Sequence, residues 1–357
     1  MTCLRDNFNR PINYLRISVT DRCNFRCVYC MPANGVVPCS HTDILTYEEI
    51  ARVARAAADL GISKIRLTGG EPLVRLGLVD LVSQLAAIPG IDDLALSTNG
   101  SLLAKFAAPL KAAGLRRINV SLDTMRPDRF ARLTRTNKLP DVLAGIEAAE
   151  EFGLLPIKIN VVVIRGMNDD ELVEMAAGTI EREWHVRFIE LMPMGQSEDW
   201  ERKYVSMAEM KDRLAALGPL EAQCPGSTRR ADAVAHDNGS EESMIGPVLP
   251  TEGPALPTEG PARYYRLPGA RGTIGFISAI SEHFCHQCNR LRLTADGRLR
   301  PCLMWDREVD LRSVLRQGAS EDDLREVIRR ATLEKPWGHR LGEGVAPQGR
   351  TMSEIGG

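Results

Sequence analysis

The sequence predicts an α/β fold: a partial, TIM-like (βα)6 barrel followed by a small C-terminal α+β domain. From Tyr14 to Pro193 short β-branched runs alternate with longer stretches of helical periodicity, the pattern of a parallel sheet whose crossovers are helices. Six βα units can be read there. A full barrel needs about eight, so six leave it partial, with an open doubly wound sheet as the alternative the pattern allows. After Leu217 the periodicity gives way to a Gly-, Pro-, Ser- and Glu-rich stretch and then to shorter strands and helices.

The strands read, in order, 14–20 (YLRISVT), 64–68 (KIRLT), 93–98 (DLALST), 116–122 (RRINVSL), 157–164 (IKINVVVI) and 186–192 (VRFIELM). Amphipathic helices are predicted near 47–60, 77–88, 102–113, 140–153, 168–181 and 206–217, which assigns residues 1–220 to the barrel. Residues 221–262 contain a tandem duplication, LPTEGPA at 249–255 and again at 256–262, and predict a mobile, low-complexity surface insertion. Strand patterns return at 263–267 and 273–280, and 289–300 reads as a hairpin turning at Asp296-Gly297. Helices near 308–317 and 320–332 and a Gly-rich tail ending Gly356-Gly357 complete a C-terminal domain of 263–357.

The chain has 357 residues, 44% hydrophobic and 26% charged, which excludes disorder, collagen and coiled coil as overall descriptions. Lys and Arg number 45 against 47 Asp and Glu, a net charge of −2; no global charge argues for nucleic acid or a membrane surface, and any anion site must be local. Met1 to Pro11 lacks the apolar core of a signal peptide, and no run approaches the ~18 apolar residues of a membrane span. A cytoplasmic protein is expected.

Six of the nine cysteines fall in two groups, Cys23, Cys27, Cys30 and Cys285, Cys288, Cys302. In a reducing compartment such grouping suggests metal rather than disulfides. Cys3, Cys39 and Cys224 have no ligand-like neighbours and read as incidental thiols. The first group is a C-x3-C-x2-C run directly after the first strand. Three thiolates there can hold three irons of a 4Fe-4S cluster and leave the fourth without a protein ligand, hence reactive. A zinc knuckle would want a fourth Cys or His at short range, and His41 lies eleven residues beyond Cys30.

That run, the aromatic Tyr29 before its third Cys, and Thr68-Gly69-Gly70-Glu71-Pro72 after the second strand together resemble the radical S-adenosylmethionine superfamily. The resemblance implies that S-adenosylmethionine chelates the open iron and that its reductive cleavage yields a 5′-deoxyadenosyl radical. In the GGE segment, glycines would let backbone approach the bound methionine moiety, and backbone carbonyls or Glu71 would meet its ammonium group.

Cys285-x2-Cys288-x13-Cys302 again supplies three thiolates, with His283 and His286 beside the first pair, so the spacing admits a four-coordinate zinc site as well as a cluster. Arg290 and Arg292 follow on one strand face, where two guanidinium groups could take a bound anion or simply meet solvent. The whole pattern, FCHQCNRLRLTADGRLRPCL with NYLRISVTDRCNFRCVYCMP, KIRLTGGEPL, LSTNG, INVSLD, FIELMPMG and the terminal Gly-Gly, closely resembles the GTP 3′,8-cyclase family of molybdenum-cofactor biosynthesis. It spans nearly the full chain except 221–262.

The resemblance implies a lyase with two 4Fe-4S clusters, one held by Cys23, Cys27 and Cys30 and a second, facing the guanine of GTP, held by Cys285, Cys288 and Cys302. Tyr29, Gly70, Ser121 and Met192 match S-adenosylmethionine-binding positions, and Arg16, Arg66, Thr98, Lys158, Arg290 and Arg292 match the GTP site. Each of these basic residues is expected at or near the carboxyl end of its strand. An external electron donor and a downstream cyclic pyranopterin monophosphate synthase are implied partners, and a homodimer is admitted. The Gly-Gly tail is expected to enter the active-site cavity. Two competing readings are a radical peptide-modifying enzyme with an auxiliary cluster, which gives no reason for Arg290 and Arg292, and a binding module with two metal knuckles.

Overall fold

A computed structural model of the chain describes residues 3–194, 200–223, 260–343 and 345–356; the duplicated LPTEGPA segment and Cys224 lie outside them, as does Gly357. The first half lays down β1 (Tyr14–Ser18), α1 (Tyr47–Asp59), β2 (Lys64–Thr68), α2 (Leu78–Ala86), β3 (Asp93–Thr98) and α3 (Leu103–Ala112). It continues through β4 (Arg117–Ser121), α4 (Pro127–Thr134), α5 (Leu139–Glu151), β5 (Lys158–Val163), α6 (Leu172–Glu181) and β6 (His185–Glu190). Then come α7 (Trp200–Lys203), α8 (Met207–Leu214), β7 (Glu221–Ala222), β8 (Arg263–Arg266), β9 (Thr273–Ile277), β10 (Arg290–Leu293), β11 (Arg298–Arg300) and β12 (Val309–Asp310). The chain ends with α9 (Arg312–Arg316), α10 (Glu321–Leu333) and α11 (Met352–Ile355).

Local chemistry sets these boundaries. Thr46 caps α1 by accepting from the Glu49 amide while Glu49 accepts from Thr46 N at 2.8 Å, a reciprocal pair repeated by Ser320 and Asp323 at α10. The strands β1 to β6 run parallel in sequence order, their apolar residues packed against α1 to α6 in one buried cluster. This is the partial barrel the alternation predicts.

The C-terminal strands do not form a sheet of their own. β10 pairs parallel with β1, and β9 pairs parallel with β6, so both edges of the six-stranded array gain a parallel neighbour. β11 and β12 extend one side antiparallel, β8 and β7 the other, giving the order β12-β11-β10-β1-β2-β3-β4-β5-β6-β9-β8-β7. The second cysteine group is thereby carried onto the barrel's flank, because Cys288 stands two residues before β10. Some short elements depart from expectation. The helix read over 308–317 is the short strand β12 followed by α9, while α4, α7, β7 and α11 had no counterpart in the sequence reading.

Candidate active site

The barrel encloses a cavity of about 670 Å³ lined by Tyr29, Gly70, Ser121 and Met192, by Arg16, Arg66, Thr98, Lys158, Arg290 and Arg292, and by Cys23, Cys27 and Cys30. Cys285, Cys288 and Cys302 do not line it, but their neighbours Phe284 and Leu303 do. One cavity therefore runs between the two cysteine groups. Cys3 is exposed and Cys39 half-buried, and neither lines the cavity.

The first group follows β1. The Arg26 and Val28 amides donate to the Thr134 and Leu133 carbonyls at the end of α4, which pins the loop from outside. From below, Gly70 N donates to Thr20 O at 2.7 Å and Glu71 N to Arg22 O at 2.8 Å. A Cβ on Gly70 would stand 2.5 Å from the Arg22 carbonyl, so glycine here is required by the approach of the cysteine loop's own backbone. Glu71 does not reach the cavity. It is fully buried, accepting from Leu73 N, Thr98 Oγ1 and Asn99 N at 3.0, 2.7 and 2.6 Å, and burial raises its pKa to about 7. Its carboxylate ties the β2 and β3 termini together, so of the two groups expected to meet an ammonium group, backbone carbonyls or Glu71, the carboxylate is already taken by three donors. Thr98 lines the cavity with its hydroxyl committed to Glu71.

Burial pushes the thiols of this loop up: Cys23 to about 11, Cys30 to about 12, and Cys27 in the same direction with help from the Cys30 charge. Three mutually repelling, desolvated thiols are poor thiolates alone and gain from a cationic iron core. In the second group the Cys288 thiol goes the other way. Burial would raise it, but Lys335 and Arg290 outweigh burial and bring it to about 6. Lys335 is buried, donating to the Arg290 and Pro301 carbonyls at 2.8 and 2.6 Å. His283 packs edge-on against His339 at 5.2 Å, and no three His, Cys, Asp or Glu side chains among the described residues are grouped to hold a single metal ion.

The cations form one field. Parallel register sets Arg16 beside Arg292 on one side and Arg66 on the other, and Tyr14 beside Arg290. The guanidinium groups of Arg66 and Arg290 lie 5.5 and 5.9 Å from the Tyr14 ring. Burial and then Arg292 and Arg66 lower Arg16; burial lowers Arg66 and Arg292 to about 10; burial and then Arg187, Arg117 and Arg66 lower Lys158. Arg66, Arg187 and Arg292 each have a buried Nε without a hydrogen-bond partner among the described residues. Such crowding of like charge is costly until an anion fills it. Arg117 is neutralised directly, its Nε 2.8 Å from Asp93 Oδ1.

This field is deeper than expected. Lys158 and Arg290 open β5 and β10 rather than end them, and Arg16 and Arg66 sit mid-strand. The carboxyl ends instead carry Thr68, Thr98 and Ser121 with the cysteine loop. The cavity thus has two levels, thiols and small polar groups at the strand ends, cations below. Sequence reasoning missed Arg187, which lies on β6 facing the cavity. The alternation of His185 and Arg187 in HVRFIE was the available signal.

The tail closes the upper level. Arg350 pairs with Asp296 at 2.7 Å and Glu308 at 2.8 Å. Beyond it, Met352 and Ser353 line the cavity and the Ser353 backbone bonds the Cys30 thiol, lowering it against the effect of burial. Gly356 is buried at the ends of β1 and β2, where a Cβ would meet Thr68 Oγ1 at 2.5 Å and Ser18 Cβ at 2.7 Å.

Residues 17–177 match the Radical SAM superfamily model and residues 243–341 the Molybdenum Cofactor Synthesis C model. A GTP 3′,8-cyclase of Pelotomaculum thermopropionicum is 51% identical over 99% of this chain and 100% of its own length. One from Moorella thermoacetica is 49% identical over the same shares. The chain belongs to the GTP 3′,8-cyclase family. It is a radical S-adenosylmethionine enzyme, and as a member of this family it uses two 4Fe-4S clusters and acts in molybdenum-cofactor biosynthesis. The fold is shared more widely: Streptococcus suis SuiB bound to precursor peptide SuiA superposes with a TM-score of 0.50 at 18% identity, over 59% of this chain and 46% of SuiB. Among the described residues no helix is long and apolar enough to cross a membrane.

Proposed function

We propose that this cyclase converts GTP to 3′,8-cyclo-7,8-dihydro-GTP in the cavity described, with S-adenosylmethionine at the upper level and the triphosphate below. Cys23, Cys27 and Cys30 would hold the first cluster, and Cys285, Cys288 and Cys302 the second. When bound, the first cluster and S-adenosylmethionine would supply the 5′-deoxyadenosyl radical needed to remove the ribose C3′ hydrogen of GTP and so allow C3′ to close onto guanine C8.

What this chain's own residues contribute is position and exclusion. Tyr29, Gly70, Ser121 and Met192 frame the S-adenosylmethionine side. Tyr29 is itself fixed by donating to Asp123 at 2.7 Å, a carboxyl that burial raises to about 6. Arg16, Arg66, Lys158, Arg290 and Arg292, joined by Arg187, receive the triphosphate, with Thr98 on the cavity wall. The observation that carries this reading is the gathering of Arg66, Lys158, Arg187, Arg290 and Arg292 on one cavity wall, none of them in an ion pair with a carboxylate among the described residues, below the cysteine loop; a triphosphate supplies about the charge such a group calls for. Held in one cavity, the reacting groups need no general base for the first step, only proximity and protection of the radical from water and oxygen.

The product would pass to a cyclic pyranopterin monophosphate synthase, in the cytoplasm, and each turnover would draw two electrons from an external donor, one to cleave the sulfonium and one that, with a proton, reduces the cyclised radical to the 7,8-dihydro product. Incubating reconstituted protein anaerobically with S-adenosylmethionine, reductant and GTP should give 5′-deoxyadenosine and a cyclised nucleotide. Cleavage without any GTP-derived product would overturn the assignment of substrate.

A further inference from the structure

We propose that the outer face of the cysteine loop is a docking surface for an acidic one-electron carrier protein, which delivers its electron by way of Cys23. The proposal rests on the reading of Cys23 as a ligand of the first cluster. The chemistry demands a donor: cleaving the sulfonium to methionine and a 5′-deoxyadenosyl radical consumes one electron, and the cluster that gives it up must be reduced again by a carrier that loses one electron in turn, a flavin hydroquinone or a reduced iron-sulfur protein. That carrier cannot use the substrate cavity, which the nucleotide, S-adenosylmethionine and the tail share.

A separate cavity of about 280 Å³ lies against the same loop, lined by Asp21, Arg22, Cys23, Arg26, Met31 and Pro38. Cys23 is the one residue that lines both this cavity and the substrate cavity among the described residues. A charge carrier seated outside would therefore stand one side chain away from the first cluster.

The rim is basic. Arg22 is exposed, Arg26 donates to the Cys23 and Phe25 carbonyls, and Arg135 donates to the Arg26 carbonyl at 2.7 Å. None of these three guanidinium groups has a carboxylate partner among the described residues, whereas Arg129, Arg165 and Arg325 elsewhere on the surface each do. Asp21 adds no compensating exposed charge, being buried with an oxygen taken by the Cys39 amide. Val36 and Pro38 line the cavity, and Val37 between them is 91% exposed, an apolar spot next to the charge. A small, electrostatically steered contact with one apolar point suits the weak, fast-exchanging complexes of electron transfer.

The test titrates reconstituted holoenzyme with an acidic flavodoxin at low salt, reading the dissociation constant, hydrogen exchange, and 5′-deoxyadenosine formation driven by flavodoxin hydroquinone or by dithionite. Arg22→Glu should weaken the complex about tenfold and slow carrier-driven cleavage to match, with the dithionite-driven rate unchanged, and Arg22→Lys should retain most of both. In the wild-type holoenzyme, amides of 31–38 should gain protection when flavodoxin binds. Flavodoxin affinity unaltered by Arg22→Glu, or protection confined to another face of the wild-type protein, would overturn the docking surface. A full complement of iron in Cys23→Ser would instead sink the ligand assignment, an outcome read independently of where flavodoxin binds.

Discussion

Gly356→Ala isolates the contribution of the tail. The residue has φ 83° and ψ 81°, a conformation that costs a residue with a Cβ on the order of 1–2 kcal/mol. The added methyl would also stand 2.5 Å from Thr68 Oγ1 and 2.7 Å from Ser18 Cβ. The hydroxyl can turn away, but Ser18 is fixed in β1, so overpacking adds about 1–3 kcal/mol. The sum, on the order of 2–5 kcal/mol, acts on the docked position of the tail alone, because the tail's undocking exposes little of the main core. A loss of 2 kcal/mol already lowers the docked population about thirtyfold relative to the displaced one. The assay is anaerobic turnover with quantitation of 5′-deoxyadenosine and cyclic product, alongside a thermal melt. The melt should be unchanged, 5′-deoxyadenosine should still form, and cyclic product should fall at least tenfold, with partial rescue by a peptide copying the residues from Arg350 onward. Wild-type cyclisation by a folded Gly356→Ala chain would refute the reasoning.

The remaining predictions concern the anchors and the charges. Arg350→Ala removes the tail's charged hydrogen bonds to Asp296 and Glu308, which keep Arg298 and Arg300 as partners, and should weaken the docking of the tail by about 1.5–3 kcal/mol, lowering product while sparing 5′-deoxyadenosine; a tail as protease-resistant as in the wild type would contradict this. Arg187→Ala should weaken GTP binding by ~1.5–3 kcal/mol, read by equilibrium binding, and unchanged affinity would remove it from the nucleotide site. Cys27→Ser should abolish 5′-deoxyadenosine formation, and Cys288→Ser should spare it far better than cyclisation; equal losses in two folded variants would undo the division between the clusters. His185 is held at about 3 by burial and then by Lys158 and Arg187, against an ordinary 6.5. The unfolded chain takes up a proton below about pH 6.5 that the folded chain refuses, so stability is present above that pH and falls as pH drops toward 3. Glu71 and Asp123, raised to about 7 and 6, act in the opposite direction over the same range, so the measure is the difference between wild type and His185→Gln in urea melts. The wild type should lose roughly 2 kcal/mol more than the variant between pH 7 and 5, and an equal pH dependence of the two would contradict this.

The six-strand core was legible because each strand is a compact β-branched run such as KINVVV, and the cysteine groups because their spacing is local. What the chain does at long range was not. β10 pairs with β1 across more than two hundred and seventy residues, Tyr14 against Arg290, and nothing in either segment encodes the choice. For the same reason Arg187 reads alone as a solvated charge; only the register that sets it beside Asn160, with Arg66 and Lys158 close enough to feel its field, makes it part of the cation set. Helix α4 hid behind a short, charged sequence, PDRFARLT, whose signal was Pro127 at its first turn with Phe130 and Leu133 on one face. Glu71 was offered beside the backbone carbonyls as an ammonium contact because a motif carboxylate beside two glycines looks available until its three donors are seen.

The central claim is that one cavity brings ribose C3′ of GTP to the radical. It is tested most directly by supplying GTP deuterated at C3′ to the reconstituted enzyme with S-adenosylmethionine and reductant, and weighing the 5′-deoxyadenosine formed. The account predicts deuterium in its methyl group, in step with the cyclic product. Unlabelled 5′-deoxyadenosine accompanying full cyclisation would contradict it.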